Sequence, residues 1–197
     1  MRWFGLRAQA EGGPVVSSDG LYLRPPRPAD HANWARLREA SREHLAPWEP
    51  TWAPDELSVG SFGHRLRRYE EEAERDEARH FFIFRTRDDA LLGGLTLGEI
   101  RRGVSQTGTL GYWMGKPYAG QGNMTRAVAA ATRWGFSALR LHRIEAACVV
   151  SNTASARLLA RAGFVREGRA RAYLKIDGAW QDHELFALLA SDLTVRG

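Results

Sequence analysis

The segment 107–139 constrains the fold more than any other, because a strand pattern passes into a helix pattern through a glycine-rich turn. Thr107–Met114 reads TGTLGYWM and carries strand signals. The loop KPYA leads from it to the sequence GQGNMT at 120–125, and the stretch 120–139 then places its apolar residues on one helical stripe. The pattern predicts a strand that turns tightly into a helix packed on the sheet.

The glycine-rich turn has the features of an anion site. Gly120 and Gly122 let the backbone approach an anion closely, and the free N–H groups and dipole at a helix start favour negative charge. The turn is not a Walker loop, because no Gly-Lys-Ser/Thr follows, and Thr125 occupies the third glycine position of the dinucleotide fingerprint. A pyrophosphate fits this pattern, and so does a tight turn that holds no ligand.

The rest of the chain divides into short strand and helix patterns without internal repeats. Their order is strand, two helices, three strands, helix, strand, helix and two strands, and the three consecutive strands are expected to form an antiparallel meander. This order predicts one α/β (α+β) domain over residues 1–197, with a mixed sheet, helices on both faces and an N-terminal extension of residues 1–20. The other strands are expected at 21–24, 80–85, 91–99, 142–150, 169–176 and 180–189, and the other helices at 29–45, 55–77 and 152–162.

Composition excludes several classes of protein. With 197 residues, 44% of them hydrophobic, the chain suits one compact domain, and no run approaches the roughly 18 apolar residues of a membrane span. The N-terminal residues lack the apolar region of a signal peptide, and a cytoplasmic protein is expected. The single Cys148 cannot form an internal disulfide and is interpreted as a small buried hydrophobe. One Cys and His residues without paired spacing predict no metal site.

Charge favours an anionic partner without indicating a nucleic acid. The net charge is +5 and the pI about 9.9, but only Lys116 and Lys175 are lysines, so arginine raises the pI. No Lys/Arg block with interleaved aromatic residues stands out, and no direct DNA binding is expected. A mildly basic surface fits an anionic cofactor or work near the ribosome.

Several stretches taken together resemble a known family. LGYWM followed by KPYAGQGNMTRAV, then HRIEA and SNTASARLLARAGFVREG, make the chain similar to the GNAT acetyltransferases nearly from end to end. HLAPWEP, RRG and YLKIDGAWQDHELFAL resemble more narrowly the RimJ group of that family. The resemblance implies a GNAT-like, mostly antiparallel sheet that is splayed at its central strand. It also implies transfer of an acetyl group from acetyl-CoA to the N-terminal alanine of a small-subunit ribosomal protein.

The resemblance implies a cofactor site as well. Backbone groups of Trp113 and Met114 would hold the acetyl carbonyl and the pantetheine arm, and Asn152 would hydrogen-bond that arm. Ser155 matches the position where related RimL-type enzymes place a hydroxyl near the thiol; it is the first catalytic candidate, with a first-turn helix cap as the alternative. The pyrophosphate would lie on Gly120, Gln121, Gly122, Asn123, Met124 and Thr125.

Some positions depart from the family's pattern. Many members have Glu where this chain has Thr109, a second Glu where it has Ala147, and a Tyr acid where it has Leu159; Ala119 and Met124 are further departures. The usual base and acid therefore cannot be carried over. An N-terminal α-amine, with a pKa of about 7.7–8.0 against about 10.4 for Lys, needs only a weak base, and orientation of the reactants can supply much of the catalysis.

The residues themselves offer four candidate bases. Glu49 lies in the loop expected to line the peptide groove, and its alternative role is that of a solvated or substrate-binding carboxylate. The alternative role of Glu145 is an ion pair with Arg143. The alternative role of His183 is that of a packed, hydrogen-bonded histidine. The four are Glu49, Glu145, Asp182 and His183, and of these Glu49 is carried forward as the catalytic candidate beside Ser155.

The acceptor site has aromatic candidates, and the acceptor itself stays open. Core packing is the alternative for each of the aromatic residues. A small-molecule amine such as an aminoglycoside or polyamine would require an acidic cleft, which the sequence does not locate. A ribosome-associated assembly factor that keeps the fold without catalysis is a further reading, and monomer and homodimer are both open. The residues expected to bind the acceptor are Trp48, Tyr173, Trp180 and His183, with Trp52 beside them.

Overall fold

The computed structural model describes residues 16–194. Within them, the strands are β1 (Val16–Ser18), β2 (Leu21–Arg24), β3 (Arg79–Arg85), β4 (Ala90–Arg101), β5 (Thr107–Met114), β6 (Arg143–Val149), β7 (Val165–Ile176) and β8 (Ala179–Leu189). The helices are α1 (His31–Glu39), α2 (Arg42–Leu45), α3 (Val59–Glu74), α4 (Asn123–Ser137), α5 (Thr153–Arg161) and α6 (Ala190–Thr194).

The strands form one sheet in the order β1-β2-β3-β4-β5-β6-β8-β7. Every neighbouring pair is antiparallel except β5 and β6, which are parallel and are connected through α4. A parallel pair needs such a crossover, because the chain must return to the same edge of the sheet before the second strand begins. The predicted meander of β3, β4 and β5 is confirmed.

Two hydrophobic cores lie on opposite faces of the sheet. One packs α4 and α5 on the sheet and buries Val128 and Leu159 completely. The other packs α1 and α3 and is centred on Trp34 and Phe62, whose ring centroids are 4.8 Å apart. Each helix has one apolar stripe that must be removed from water, and a sheet with two apolar faces accommodates both pairs. The predicted mixed sheet with helices on both faces is confirmed.

Two predicted helices differ from the observed ones at their ends. The helix expected at 29–45 is interrupted between α1 and α2, where the Ser41 hydroxyl accepts a hydrogen bond from the backbone N–H of Lys116 (2.9 Å). The break therefore ties the first helical segment to the end of β5. The helix expected at 55–77 begins only after Ser58, whose side chain accepts a hydrogen bond from the N–H three residues on (3.1 Å) and caps α3.

The N-terminal end of the sheet was not predicted. Residues 16–18, assigned to an extension by their sequence, pair with β2 and bury the side chain of Val16. Three residues are too few to show a periodic pattern, so this edge strand leaves little signal in the sequence. The other residues of the expected extension up to position 15 lie outside the described residues.

Candidate active site

A cleft opens in the middle of the sheet, where β5 and β6 diverge. Only Thr107–Thr109 of β5 pair with Arg143–Glu145 of β6. Further along, residues 110–114 of β5 still pair with β4, and residues 146–149 of β6 still pair with β8. Among residues 16–194, the backbone groups on the two inner edges have no strand partner and can hydrogen-bond a ligand between them. The splay at the central strand is therefore confirmed.

The glycine-rich turn follows the end of β5 and leads into α4. Gly120 and Gly122 have φ angles of 73° and 75°, in the left-handed region that glycine adopts most readily. A Cβ at either position would meet no atom of the described residues within 4 Å, so backbone conformation rather than space requires glycine. Within residues 16–194, no acceptor faces the backbone N–H groups of 120–125; the first bond of α4 runs from Arg126 to the Gly122 carbonyl (3.1 Å). Such a row of free N–H groups at a helix start suits a pyrophosphate.

The start of α5 faces the same cleft. The side-chain oxygen of Asn152 accepts a hydrogen bond from the Ser155 backbone N–H (3.0 Å) and caps the helix. The Ser155 hydroxyl lies 2.6 Å from that of Tyr112 on β5, so this pair spans the gap between the strand and the helix. Burial raises the pKa of Tyr112 to about 12, which keeps the phenol protonated at neutral pH. Burial also raises the pKa of the Cys148 thiol, and this residue is buried as predicted.

Trp113 and Met114 have different surroundings although both were expected to act through their backbone. The Met114 side chain is buried in the core under α4. The Trp113 indole lies on the opposite face, over Gly94, where a Cβ would come within 2.4 Å of the indole Nε1. A residue larger than glycine at position 94 would therefore displace the indole. Packing on both faces fixes the backbone of β5 at the edge of the cleft.

A cavity of about 350 Å³ lies on the face of the sheet that carries Trp113. Its floor is formed by β3, β4 and β5, and its walls by α1, α3 and the loop after α2. Among its lining residues are the two acidic side chains Glu49 and Glu56 and the two arginines Arg38 and Arg65. Each carboxylate pairs with one arginine, Glu49 with Arg38 and Glu56 with Arg65. The cavity is polar, but its charges are balanced.

Glu49 is held by three hydrogen bonds. Both of its carboxylate oxygens accept from the Arg38 guanidinium (2.7 and 2.8 Å), and one accepts from the indole of Trp52 (2.9 Å). The guanidinium lies 4.2 Å from the Trp52 ring centroid and 5.0 Å from that of Trp113. Arginine is suited to this site because its planar fork binds a carboxylate in two places while its faces stack on aromatic rings. This geometry favours a role for Glu49 in holding the loop over one in accepting a proton.

The four residues expected to bind the acceptor do not line the cavity. Trp48, Tyr173 and Trp180 expose 36, 46 and 65% of their surface. The β7–β8 hairpin carries the last two, and a hydrogen bond from the Asp177 N–H to the Glu49 carbonyl (2.9 Å) joins it to the cavity loop. These aromatic residues form an exposed outer surface. The fourth residue, a histidine, is packed inside the hairpin.

That histidine, His183, is only 2% exposed. Its Nδ1 lies 2.9 Å from the carbonyl of Gln181, and its ring makes an edge contact with Tyr173 at 5.6 Å between centroids. His183 is therefore a packed, hydrogen-bonded histidine that supports the Tyr173 ring, which is the alternative to a catalytic base that the sequence left open. The other two candidate bases are also engaged: Glu145 pairs with Arg143 (2.8 Å), and Asp182 is held by backbone and arginine donors that lower the pKa of its carboxyl.

Comparison with known proteins identifies the family. The model of the acetyltransferase (GNAT) domain matches residues 20–165, which is most of the chain. The chain belongs to the GNAT acetyltransferase family. It is an acetyl-CoA N-acetyltransferase of the GNAT type, and the cleft between β5 and β6 with the free N–H groups after it fits the CoA part of that cosubstrate.

Individual GNAT relatives cover nearly the whole chain. A Bacillus subtilis protein named "Probable N-acetyltransferase YjcK" is 38% identical over 90% of this chain and 98% of its own length. The ribosomal protein uS5-alanine N-acetyltransferase of Escherichia coli is 33% identical over 97% of this chain and 98% of its own. Among solved structures, RimJ of Mycobacterium smegmatis in complex with CoA-disulfide is 36% identical, with a TM-score of 0.84 over 92% of this chain and 88% of that one.

The positions that depart from the usual GNAT pattern have structural roles here. The Thr109 hydroxyl donates a hydrogen bond to Glu99 (3.0 Å) outside the cavity. Leu159 on α5 is completely buried in the hydrophobic core between that helix and the sheet. Neither side chain can transfer a proton in the site, which agrees with the sequence-based conclusion that the usual acid and base cannot be carried over.

Of the polar residues that line the cavity, sequence reasoning named Glu49 but missed Arg38, His80 and Thr96. Arg38 is only 6% exposed and lies one helical turn after Trp34, on the apolar stripe of α1. A charged residue on that stripe was the sequence signal that could have indicated a buried polar site. His80 and Thr96 line the cavity from neighbouring strands. They meet only through the register of β3 against β4, which a single sequence does not reveal.

Proposed function

We propose that this GNAT enzyme acetylates the N-terminal α-amine of a ribosomal protein that begins with alanine. The observation that carries the proposal is the likeness to the Escherichia coli uS5-alanine N-acetyltransferase, because it extends over 97% of this chain and 98% of the relative. Likeness of this extent includes α1 and α3, which form walls of the cavity, and the final hairpin, which is hydrogen-bonded to the cavity loop, as well as the part proposed to bind CoA.

The charges of the cavity support a peptide α-amine over a polyamine. A polycation would be bound by free carboxylates. The two acidic residues that line the cavity, Glu49 and Glu56, are each paired with an arginine. A single α-amine needs no such acidic cleft, and its low pKa makes it easier to deprotonate than a lysine. The volume of about 350 Å³ has room for the first residues of a peptide.

The cofactor roles follow from the geometry of the cleft. In this proposal, backbone groups of Trp113 and Met114 hold the acetyl carbonyl, and the Met114 N–H supports the developing oxyanion. The turn 120–125 holds the pyrophosphate. Asn152 uses its side-chain oxygen as a helix cap, which leaves its amide nitrogen to donate to the pantetheine arm. No residue of the described part of the chain accepts from that nitrogen.

Ser155 is the proposed donor to the leaving thiolate. Tyr112 stays protonated and can donate to the Ser155 oxygen at 2.6 Å, so the serine's own proton is free to point at the sulfur. Glu49 acts on the acceptor side by fixing the loop, and the exposed rings of Trp48, Tyr173 and Trp180 provide a surface for the rest of the acceptor protein. Among residues 16–194, no group of three or more His, Cys, Asp or Glu side chains lies close enough together to hold a metal ion.

A peptide panel tests the acceptor. Purified protein is incubated with acetyl-CoA and with peptides that differ only in their first residue (Ala, Ser or Met), and the products are located by mass spectrometry. We expect the Ala peptide to be acetylated at its α-amine and a matched peptide with a blocked α-amine and one internal Lys to be left unmodified. Acetylation of free polyamines or aminoglycosides in place of every peptide would contradict the proposal.

A second outcome separates catalysis from ribosome binding. If the protein binds acetyl-CoA but modifies no amine, and co-sediments with ribosomes, the chain is an assembly factor that keeps the GNAT fold. None of the helices described in residues 16–194 is long and apolar enough to cross a membrane.

A further inference from the structure

Three polar residues cross the floor and wall of the acceptor cavity in one connected row. His80 on β3 lies opposite Thr96 on β4, and Thr96 lies opposite Gly111 on β5. Directly opposed residues of antiparallel strands point to the same face and have Cβ atoms about 5 Å apart. Glu72 on α3 reaches down to the other side of His80. The row therefore runs from the helix, across two strands, to the edge strand of the cleft.

The hydrogen bonds of this row fix the direction in which a proton can move. The Nε2 of His80 lies 2.6 Å from a Glu72 carboxylate oxygen, and its Nδ1 lies 2.9 Å from the Thr96 hydroxyl oxygen. A carboxylate only accepts, so Nε2 carries the proton of the neutral ring and Nδ1 accepts from the hydroxyl. The hydroxyl oxygen keeps its lone pairs for a group in the cavity. Carboxylate, imidazole and hydroxyl thus stand in the order by which a histidine draws a proton from an alcohol.

The surroundings of His80 keep its ring neutral. Burial lowers the pKa of the imidazole, Arg68 and Arg65 lower it further, and Glu72 opposes them. Tyr69 stacks flat on the ring at 3.5 Å between centroids, and from β4 the Thr96 hydroxyl faces it. A neutral imidazole can accept a proton at neutral pH, whereas a protonated one cannot.

Open space lies beside the hydroxyl. A Cβ at Gly111 would meet nothing within 4 Å, and both His80 and Thr96 line the cavity. Two residues further along β5 is Trp113, at the edge of the acetyl cleft. An amine placed over Gly111 would therefore lie between the Thr96 hydroxyl and the cleft.

We propose that Thr96, His80 and Glu72 form a relay that removes a proton from the acceptor ammonium group. The ammonium N–H bond breaks and its proton passes to the Thr96 oxygen, while the hydroxyl proton passes to the Nδ1 of His80 and Glu72 stabilises the imidazolium. The lone pair freed on nitrogen then forms the C–N bond to the acetyl carbon as the C–S bond breaks. The thiolate takes the Ser155 hydroxyl proton, a second amine proton replaces it on the Ser155 oxygen, and His80 later releases the first amine proton to solvent. Thr96 is the catalytic residue of the relay, because it contacts the amine, and His80 and Glu72 act through it as positioning residues. This inference rests on the proposed function, in which the acceptor is an amine.

The pH dependence of turnover tests the relay. Wild type is compared with Thr96→Val, Thr96→Ser and His80→Gln, using acetyl-CoA and an acceptor peptide that wild type modifies. His64→Gln, which changes an exposed histidine on α3 that contacts Arg67, is the matched control. We expect Thr96→Val and His80→Gln to lower kcat about 6- to 11-fold at pH 7, with unchanged KM for acetyl-CoA, because without the relay only the neutral fraction of an amine of pKa about 7.7–8.0 can react. The deficit should shrink as pH rises above the amine pKa of about 7.7–8.0, because the amine then loses its proton without help.

The controls make the result decisive. Thr96→Ser keeps the hydroxyl and should keep most of the activity, and His64→Gln should match wild type. A deficit that stays constant with pH, or equal activities of Thr96→Val and wild type, would overturn the relay alone. An acetyl group found on Thr96 after incubation with acetyl-CoA without acceptor would overturn it in favour of an acyl-enzyme. A wild-type protein that binds acetyl-CoA and modifies no amine would overturn the proposed function and the relay with it.

Discussion

A negative charge at the glycine-rich turn should weaken CoA binding without making the fold less stable than a neutral side chain of the same shape does. Gly122 is the N-cap of α4 and has a φ of 75°, which Asn and Asp adopt more readily than other side chains. A side chain there would meet no atom within 4 Å. Gly122→Asp and Gly122→Asn therefore have nearly the same shape and the same backbone cost, and they differ only in charge.

The expected size of the effect follows from the distance between charges. A carboxylate at position 122 would stand about 5 Å from a phosphate bound on the free N–H groups, and two unit charges at that distance repel by about 1–3 kcal/mol for effective dielectric constants from about 80 down to about 20. This corresponds to a loss of about 5- to 150-fold in affinity for Gly122→Asp relative to Gly122→Asn. In the free protein the same carboxylate faces the positive end of α4, which stabilises it by about 0.3–1 kcal/mol.

Calorimetric titration with CoA and thermal unfolding together check this prediction. Gly122→Asp should bind CoA more weakly than Gly122→Asn, the difference should shrink as salt is added, and the melting temperature without CoA should be no lower for Asp than for Asn. Both variants should melt about 2–4 °C below wild type if the left-handed backbone costs about 1 kcal/mol. Equal CoA affinities of the two variants would refute the placement of the pyrophosphate on this turn.

Three further changes test single contacts of the site. Asn152→Asp keeps the oxygen that caps α5 but loses the amide donor. Calorimetric titration should therefore show a lower CoA affinity, while thermal unfolding without CoA should give an unchanged melting temperature. Because the folded-state pKa of Tyr112 is raised to about 12, its contribution to the free energy of unfolding should be intact below about pH 10 and be lost as pH rises towards 12; alkaline denaturation of Tyr112→Phe should lack this component. Gly94→Ala would bring a Cβ within 2.4 Å of the Trp113 indole and should lower kcat/KM for the acceptor peptide more than it lowers CoA affinity.

The geometry of the proposed CoA site could be predicted from the sequence because it is local. The strand, the turn and the helix start of 107–125 follow one another along the chain, and their function depends on backbone groups that any sequence with the right glycines supplies. Asn152 and Ser155 lie three residues apart at one helix start, which is again a local pattern. The mixed sheet with helices on both faces followed from the order of the elements, and the splay at the central strand followed from the family resemblance.

The acceptor side could not be predicted because it is assembled from distant segments. Arg38 and Glu49 come from a helix and a loop whose approach depends on the break at Ser41. His80 and Thr96 face each other only in one register of β3 and β4, and a shift by one residue would turn one of them to the other face. No local pattern marks either pair, so both were missed or assigned a different role.

This division between a local cofactor site and a distributed acceptor site explains the part played by Arg38. Its guanidinium joins the acceptor loop, through Glu49 and Trp52, to the Trp113 ring on the strand that borders the acetyl cleft. Its Nε is buried and has no hydrogen-bond partner among residues 16–194, which costs free energy of folding. The arginine is kept because the rest of its guanidinium makes contacts that other side chains cannot make. Lysine lacks both the fork and the flat face. Arg38 therefore positions the proposed acceptor loop against β5 together with the Ser41 hydroxyl, which accepts from the Lys116 N–H, while the free N–H groups of the turn after β5 do not depend on Arg38.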